Sequence, residues 1–186
     1  MQIKLLLAAC LLGIVSGETT PETLASSPPE ENTCNAEMDK MRECSQIGTI
    51  DLRHWDKPGF EKNIPLFTNW LQCIGETKCS LVQKVIEKAQ TKFEGMLHFN
   101  KHLSTCLGNN ALVKFSMACS QEFMNTRNAC EDTAYLDCVA KRMEKHEKCT
   151  LKDVKTYQDY QPQLIRYCTL KQEIHELKKQ RVIKLG

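Results

Sequence analysis

The sequence predicts an all-α protein, a disulfide-stapled bundle of about five to seven helices. Three observations carry this expectation. Apolar residues recur at spacings of three and four along most of the chain, as they do on one face of a helix. No run rich in valine and isoleucine alternates with polar residues, so a sheet finds no support. The 186 residues include eleven cysteines, most of them too far apart within one helix to bond each other.

The chain opens MQIKLLLAACLLGIVSG, with a cation at Lys4, an apolar run from Leu5 to Val15 and the small residues Ser16 and Gly17. Residues 1–17 therefore read as a secretory signal peptide. The apolar run is shorter than the roughly 20 residues that a bilayer span requires. Removing it takes away Cys10 and leaves ten cysteines, an even number, in a chain routed to an oxidising compartment. The expected location is secreted and extracellular. Residues 18–33, ETTPETLASSPPEENT, hold four glutamates and three prolines without an aromatic, and read as a disordered acidic leader.

The helical cysteine-rich domain is expected over residues 34–177. Cys34, Met38, Met41 and Ile47 fall near one face of a first helix. GTIDLRHWDKPGFEKN then loses periodicity, and Pro58-Gly59 signals a turn. Asn63 has the chemistry of an N-cap, Pro65 suits the first turn, and Phe67, Trp70, Leu71 and Ile74 form a stripe ending at Gly75.

Ser80 is expected to cap the next helix, whose Val82, Val85, Ile86, Ala89, Phe93, Met96 and Leu97 make the clearest amphipathic pattern in the chain. Gly108-Asn109-Asn110 ends it. Further helices are expected from about Ala111 to Met124 and from about Asp132 to Lys148. Thr150 and Asp153 match a capping box, opening a last segment in which Pro162 either breaks the helix or starts a new turn. Residues 178–186, KKQRVIKLG, lose the stripe and read as a basic flexible tail.

Cysteine spacing excludes several chemistries. Cys138 and Cys149 are eleven residues apart, about 16 Å along a helix, whereas a disulfide needs Cα atoms within about 7 Å. Cys34, Cys44, Cys73, Cys79, Cys106, Cys119, Cys130, Cys138, Cys149 and Cys168 are therefore expected to staple one element to another. Cys73 with Cys79 is the one pair close enough for a local bridge, and the full connectivity stays open. No C-x2-C occurs, which argues against both a structural zinc site and a dithiol redox site.

No catalytic or metal site is expected, and no cofactor. The chain lacks a G-x-S-x-G elbow, a glycine-rich phosphate loop and a free cysteine beside a histidine. His98 and His102 share a helix face but lack a third ligand, and a solvated face accounts for them. After loss of Lys4, 24 basic residues face 23 acids, which excludes the strongly basic footprint of nucleic-acid binding. Trp55 and Phe60, exposed among charges in an irregular stretch, form the candidate contact surface.

CNAEMDKMREC, FTNWLQC with CSLVQK, and CEDTAYLDCVAKRMEKHEKC resemble the secreted, cysteine-rich domain of unknown function expanded in nematodes, in particular Caenorhabditis. The resemblance covers about residues 34–170. That family is described with twelve cysteines, so ten here imply one bridge fewer. It has no established catalytic residues, and what it implies is an extracellular module. The expected function is a non-enzymatic extracellular interaction module with an unknown partner. The alternative is a carrier that holds a small apolar ligand, a lipid or metabolite, in a helical cavity. No stable membrane insertion is expected.

Overall fold

A computed structural model describes residues 29–46, 54–108, 110–123 and 133–185. The expected signal peptide, the expected leader up to residue 28 and Cys130 lie outside the described residues. Six α-helices and a short 3-10 turn, with no strand, make up the described chain: α1 (Pro29–Cys44), the turn Phe60–Lys62, α2 (Asn63–Ile74), α3 (Ser80–Leu107), α4 (Ala111–Phe123), α5 (Ala134–Glu144) and α6 (Leu151–Leu185). The fold is a disulfide-stapled helical bundle.

The axis of the molecule is the pair α3 and α6, which run antiparallel. Contacts follow that register from end to end. Lys84 meets Glu173 at 2.9 Å, Glu87 meets Arg166, Gly95 lies against Tyr160, and Phe99 stacks on Tyr157. Arg166 also reaches Glu173 at 2.8 Å, so two cations and two carboxylates alternate across the seam. Hydrogen bonds from Arg166 hold the Glu87 carboxyl below its ordinary pKa, and one from Lys84 does the same for Glu173.

Each end of this axis carries a stapled pair of helices. At one end, Cys34–Cys79 and Cys44–Cys73 tie α1 to the α2–α3 corner and to α2. Met38 and Met41 of α1 pack there against Cys79, Leu81, Val82 and Ile174. At the other end, Cys119–Cys138 joins α4 to α5, and Cys106–Cys149 joins α3 to the α5–α6 turn. The main core lies here, built from Phe99, Leu103, Leu107, Val139, Met143, Val154 and Tyr157 among others. Cys168 is disulfide-bonded as well. The local Cys73–Cys79 bridge does not form, because each of these cysteines faces α1.

Several helix ends depart from expectation for identifiable reasons. α1 starts at Pro29, so the last five residues of the expected leader are helical. Proline is tolerated in a first turn, where its missing N–H has no intrahelical use. Asn63 is the first residue of α2 rather than its cap, and its Nδ2 donates to the Phe60 carbonyl at 2.9 Å to hold the preceding turn. Ser80 does not cap α3. The Glu37 carboxylate, from α1, accepts from the Lys78 and Cys79 amides at 2.8 and 3.0 Å and serves the start of that helix.

The capping box does form. The Thr150 amide donates to Asp153 Oδ2 at 2.7 Å, and the Asp153 amide to Thr150 Oγ1 at 3.2 Å. α6 then runs through Pro162 to Leu185, so the expected basic flexible tail continues the helix as far as that residue. Side chains on both sides of the proline, Tyr160 and Leu164, are anchored on the core. Beyond it, lysine, glutamine, arginine and leucine are strong helix formers with no glycine to stop them before Gly186. α5 is shorter than expected because the chain turns at His146 to deliver Cys149 to Cys106.

Candidate functional site: an open apolar groove

The loop ahead of α2 is held down by a buried amide. Asn100 of α3 donates through Nδ2 to the carbonyls of Trp55 and Lys57, at 2.6 and 2.9 Å. Those carbonyls belong to no helix, and Asn100 satisfies both. With its backbone fixed, Trp55 turns its ring edge-on to Phe99, centroids 6.0 Å apart. Asp56 tucks in beside Gly108, where α3 ends. A Cβ at Gly108 would stand 2.2 Å from the Ser104 carbonyl oxygen, so glycine is required at this corner.

Asn110, at φ 66°, then redirects the chain into α4. Asparagine is among the few residues that adopt this left-handed conformation readily. Ala111 and Cys119 of α4 are buried, and Leu112 and Phe115 pack on the core, so this helix has an ordinary inner face. It also has an apolar outer edge. Val113 is 43% exposed and Met117 62%, four residues apart on one face.

Between that edge, α3 and the Asn100-pinned loop lies an apolar concavity of about 510 Å³, open to solvent. Trp55, Met96, Leu112, Val113 and Met117 line it, with Ser116 and Ser120 supplying hydroxyls. Among the described residues no charged side chain enters the lining. Methionine is unbranched and polarisable, and two methionines make this a surface that adapts to differing partners.

The two aromatic residues singled out in the sequence part company here. Trp55 is half-buried and forms one wall of the groove. Phe60 is only 3% exposed, so it offers no contact surface and that expectation is corrected. The 3-10 turn it opens points its ring inward, 6.1 Å from Phe93, which in turn stacks on Phe67 at 4.4 Å. Met96, Val113 and Met117 were not expected at a site. The signal was present in ALVKFSMAC, which has more apolar residues than a single inward face can use.

His98 is likewise not on a solvated face. It is half-buried and stacks on Tyr160, and burial lowers its pKa below the ordinary imidazole value. His102 lies 4.9 Å from it, ring to ring, and is exposed. No cluster of three or more His, Cys, Asp or Glu side chains with metal-binding geometry occurs among the described residues. Nor is any described helix long and apolar enough to cross a membrane. No family model matches the chain, and neither curated proteins nor solved structures give a match.

Proposed function

We propose that this protein is a secreted, non-enzymatic interaction module that binds a partner through the groove between α3, α4 and the Trp55 loop. The single observation that carries the reading is the exposure of Val113 and Met117 beside Trp55 and Met96, on a helix whose inner face already serves the core. Contiguous apolar surface open to water is costly unless something covers it, and such patches mark binding sites. The disulfide framework suits an oxidising, extracellular setting. The proposed kinship with the nematode cysteine-rich domain adds the same setting and no chemistry.

The carrier reading is second. A volume of about 510 Å³ falls within the range of small-ligand sites, but those bury most of their ligand, and this groove is open along one side. A photo-crosslinking methionine analogue at position 117, in protein secreted by its own tissue, separates the two. Crosslinking to a macromolecule, lost in Trp55→Ala, supports the module. A stoichiometric lipid or metabolite in the native mass spectrum, with no crosslink, contradicts it.

A further inference from the structure

His98 and His102 stand four residues apart on α3, a spacing that makes them neighbours on one face. Their ring centroids are 4.9 Å apart. An imidazole nitrogen binds a zinc-class ion at about 2.0–2.1 Å, which puts the ring centre about 3.2 Å from the metal. Two such rings, at an angle between square and tetrahedral, have centres about 4.5–5.2 Å apart. The His98–His102 spacing falls inside that range.

A second observation is independent of the spacing. Nε2 of His98 is buried and has no hydrogen-bond partner among the described residues. Buried polar atoms are nearly always paired, so an orphan asks for a reason. The same ring does hydrogen-bond to the Thr156 backbone, in the sense that raises its pKa, so the ring donates and the carbonyl accepts. With Nε2 unpartnered that donor is Nδ1, and Nε2 carries the lone pair. Metal-binding histidines are commonly held this way, one nitrogen on a carbonyl and the other open. Tyr160 covers the face of the ring at 4.3 Å, with planes 17° apart, and a lone pair in the ring plane lies clear of that stack.

The surrounding charges narrow the choice of ion. His102 and Lys101 both oppose positive charge on His98, and no described carboxylate is among the groups that act on it. Glu94, four residues earlier on α3, is exposed and acts on Tyr160. Calcium and magnesium require oxygen ligands and find none here. An ion held in this position must gain its affinity from imidazole itself, as copper, nickel and zinc do.

We infer that His98 and His102 chelate one divalent first-row transition ion, Cu2+ in preference to Zn2+, with water completing its coordination. The preference follows the intrinsic order of these ions on nitrogen ligands. Two protein ligands leave coordination positions open, which makes the ion exchangeable. The inference is independent of the interaction-module reading.

The test titrates the untagged, disulfide-bonded protein with CuCl2 and ZnCl2 in a non-coordinating buffer by calorimetry, and records the electron paramagnetic resonance of the copper form. One Cu2+ per chain should bind through nitrogen, with Zn2+ weaker at the same site and excess Ca2+ without effect. His102→Ala, at an exposed position, should weaken Cu2+ at least about tenfold, a loss that even an outer-shell partner can cause, while circular dichroism stays unchanged. His98→Phe should do the same. His54→Gln with His175→Gln, both exposed, should leave the affinity as it was. Copper affinity unchanged in His102→Ala would overturn the inference, as would its loss in the His54 and His175 variant. Absence of binding by either ion overturns it too.

Discussion

His98 of α3 lies face to face with Tyr160 of α6, ring centroids 4.3 Å apart and planes 17° from parallel. The stack sits in the antiparallel pair that organises the molecule, toward the C-terminal end of α3, and it makes a titratable group part of that seam. Burial lowers the His98 pKa first, the neighbouring His102 and Lys101 add to the effect, and a hydrogen bond to the Thr156 backbone opposes it.

Stability should therefore fall on mild acidification. The folded pKa lies below the unfolded value of 6.5, so the unfolded chain takes up this proton first as pH drops. The contribution is complete above about pH 7 and is lost as pH falls through 6.5 toward the folded pKa. Urea midpoints measured from pH 7.5 to pH 5 should decline in the wild type and decline less in His98→Phe, which keeps the stack. Parallel profiles would contradict this role.

Gly95 of α3 lies against the Tyr160 side chain of α6. A Cβ there would meet the Tyr160 hydroxyl at 3.2 Å and Cε1 at 3.6 Å. Gly95→Ala gains up to about 1 kcal/mol of helix propensity against mild crowding, and should be close to neutral in thermal unfolding. Gly95→Leu overfills the contact and should cost about 1–3 kcal/mol. A Tyr160→Ala background should relieve Gly95→Leu, and its failure to do so would show that the two residues do not share the contact.

Asn100 should couple stability to the groove. Asn100→Ala leaves the Trp55 and Lys57 carbonyls unsatisfied and should cost about 1–3 kcal/mol. It should also loosen the Trp55 wall, so that emission in a Trp70→Phe background shifts to the red. An unchanged spectrum would place the hold on Trp55 elsewhere.

The two bridges of α1 should act locally. Cys44–Cys73 closes a sequence separation of 29, and removing it as a Cys44→Ser, Cys73→Ser pair should cost about 2–4 kcal/mol. Hydrogen exchange should rise in α1 and α2 and stay unchanged in α4 and α5, which have their own staples. Uniform loss of protection would mean that the two ends are not separate units.

The helical class was legible because spacing and cysteine arithmetic are local properties. The capping box at Thr150 and Asp153, the stop at Gly75 and the stripe of α3 needed no tertiary information. What was not legible depends on contacts distant in sequence. Glu37 serves the start of α3 across 41 residues, and Asn100 holds a loop 45 residues away. Cys73 and Cys79 looked like partners because they are neighbours in sequence, yet α1 lies across that corner and takes both. Trp55 and Phe60 have the same residue class and the same loop, and only the 3-10 turn at Phe60 separates a groove wall from a core residue.

The measurement that tests the stapled architecture most directly is non-reducing peptide mapping of the protein by mass spectrometry. The predicted fragments link Cys34 to Cys79, Cys44 to Cys73, Cys106 to Cys149 and Cys119 to Cys138, with Cys168 also in a bridge. A Cys73–Cys79 fragment, or free thiols at Cys106 and Cys149, would contradict the architecture on which the groove depends.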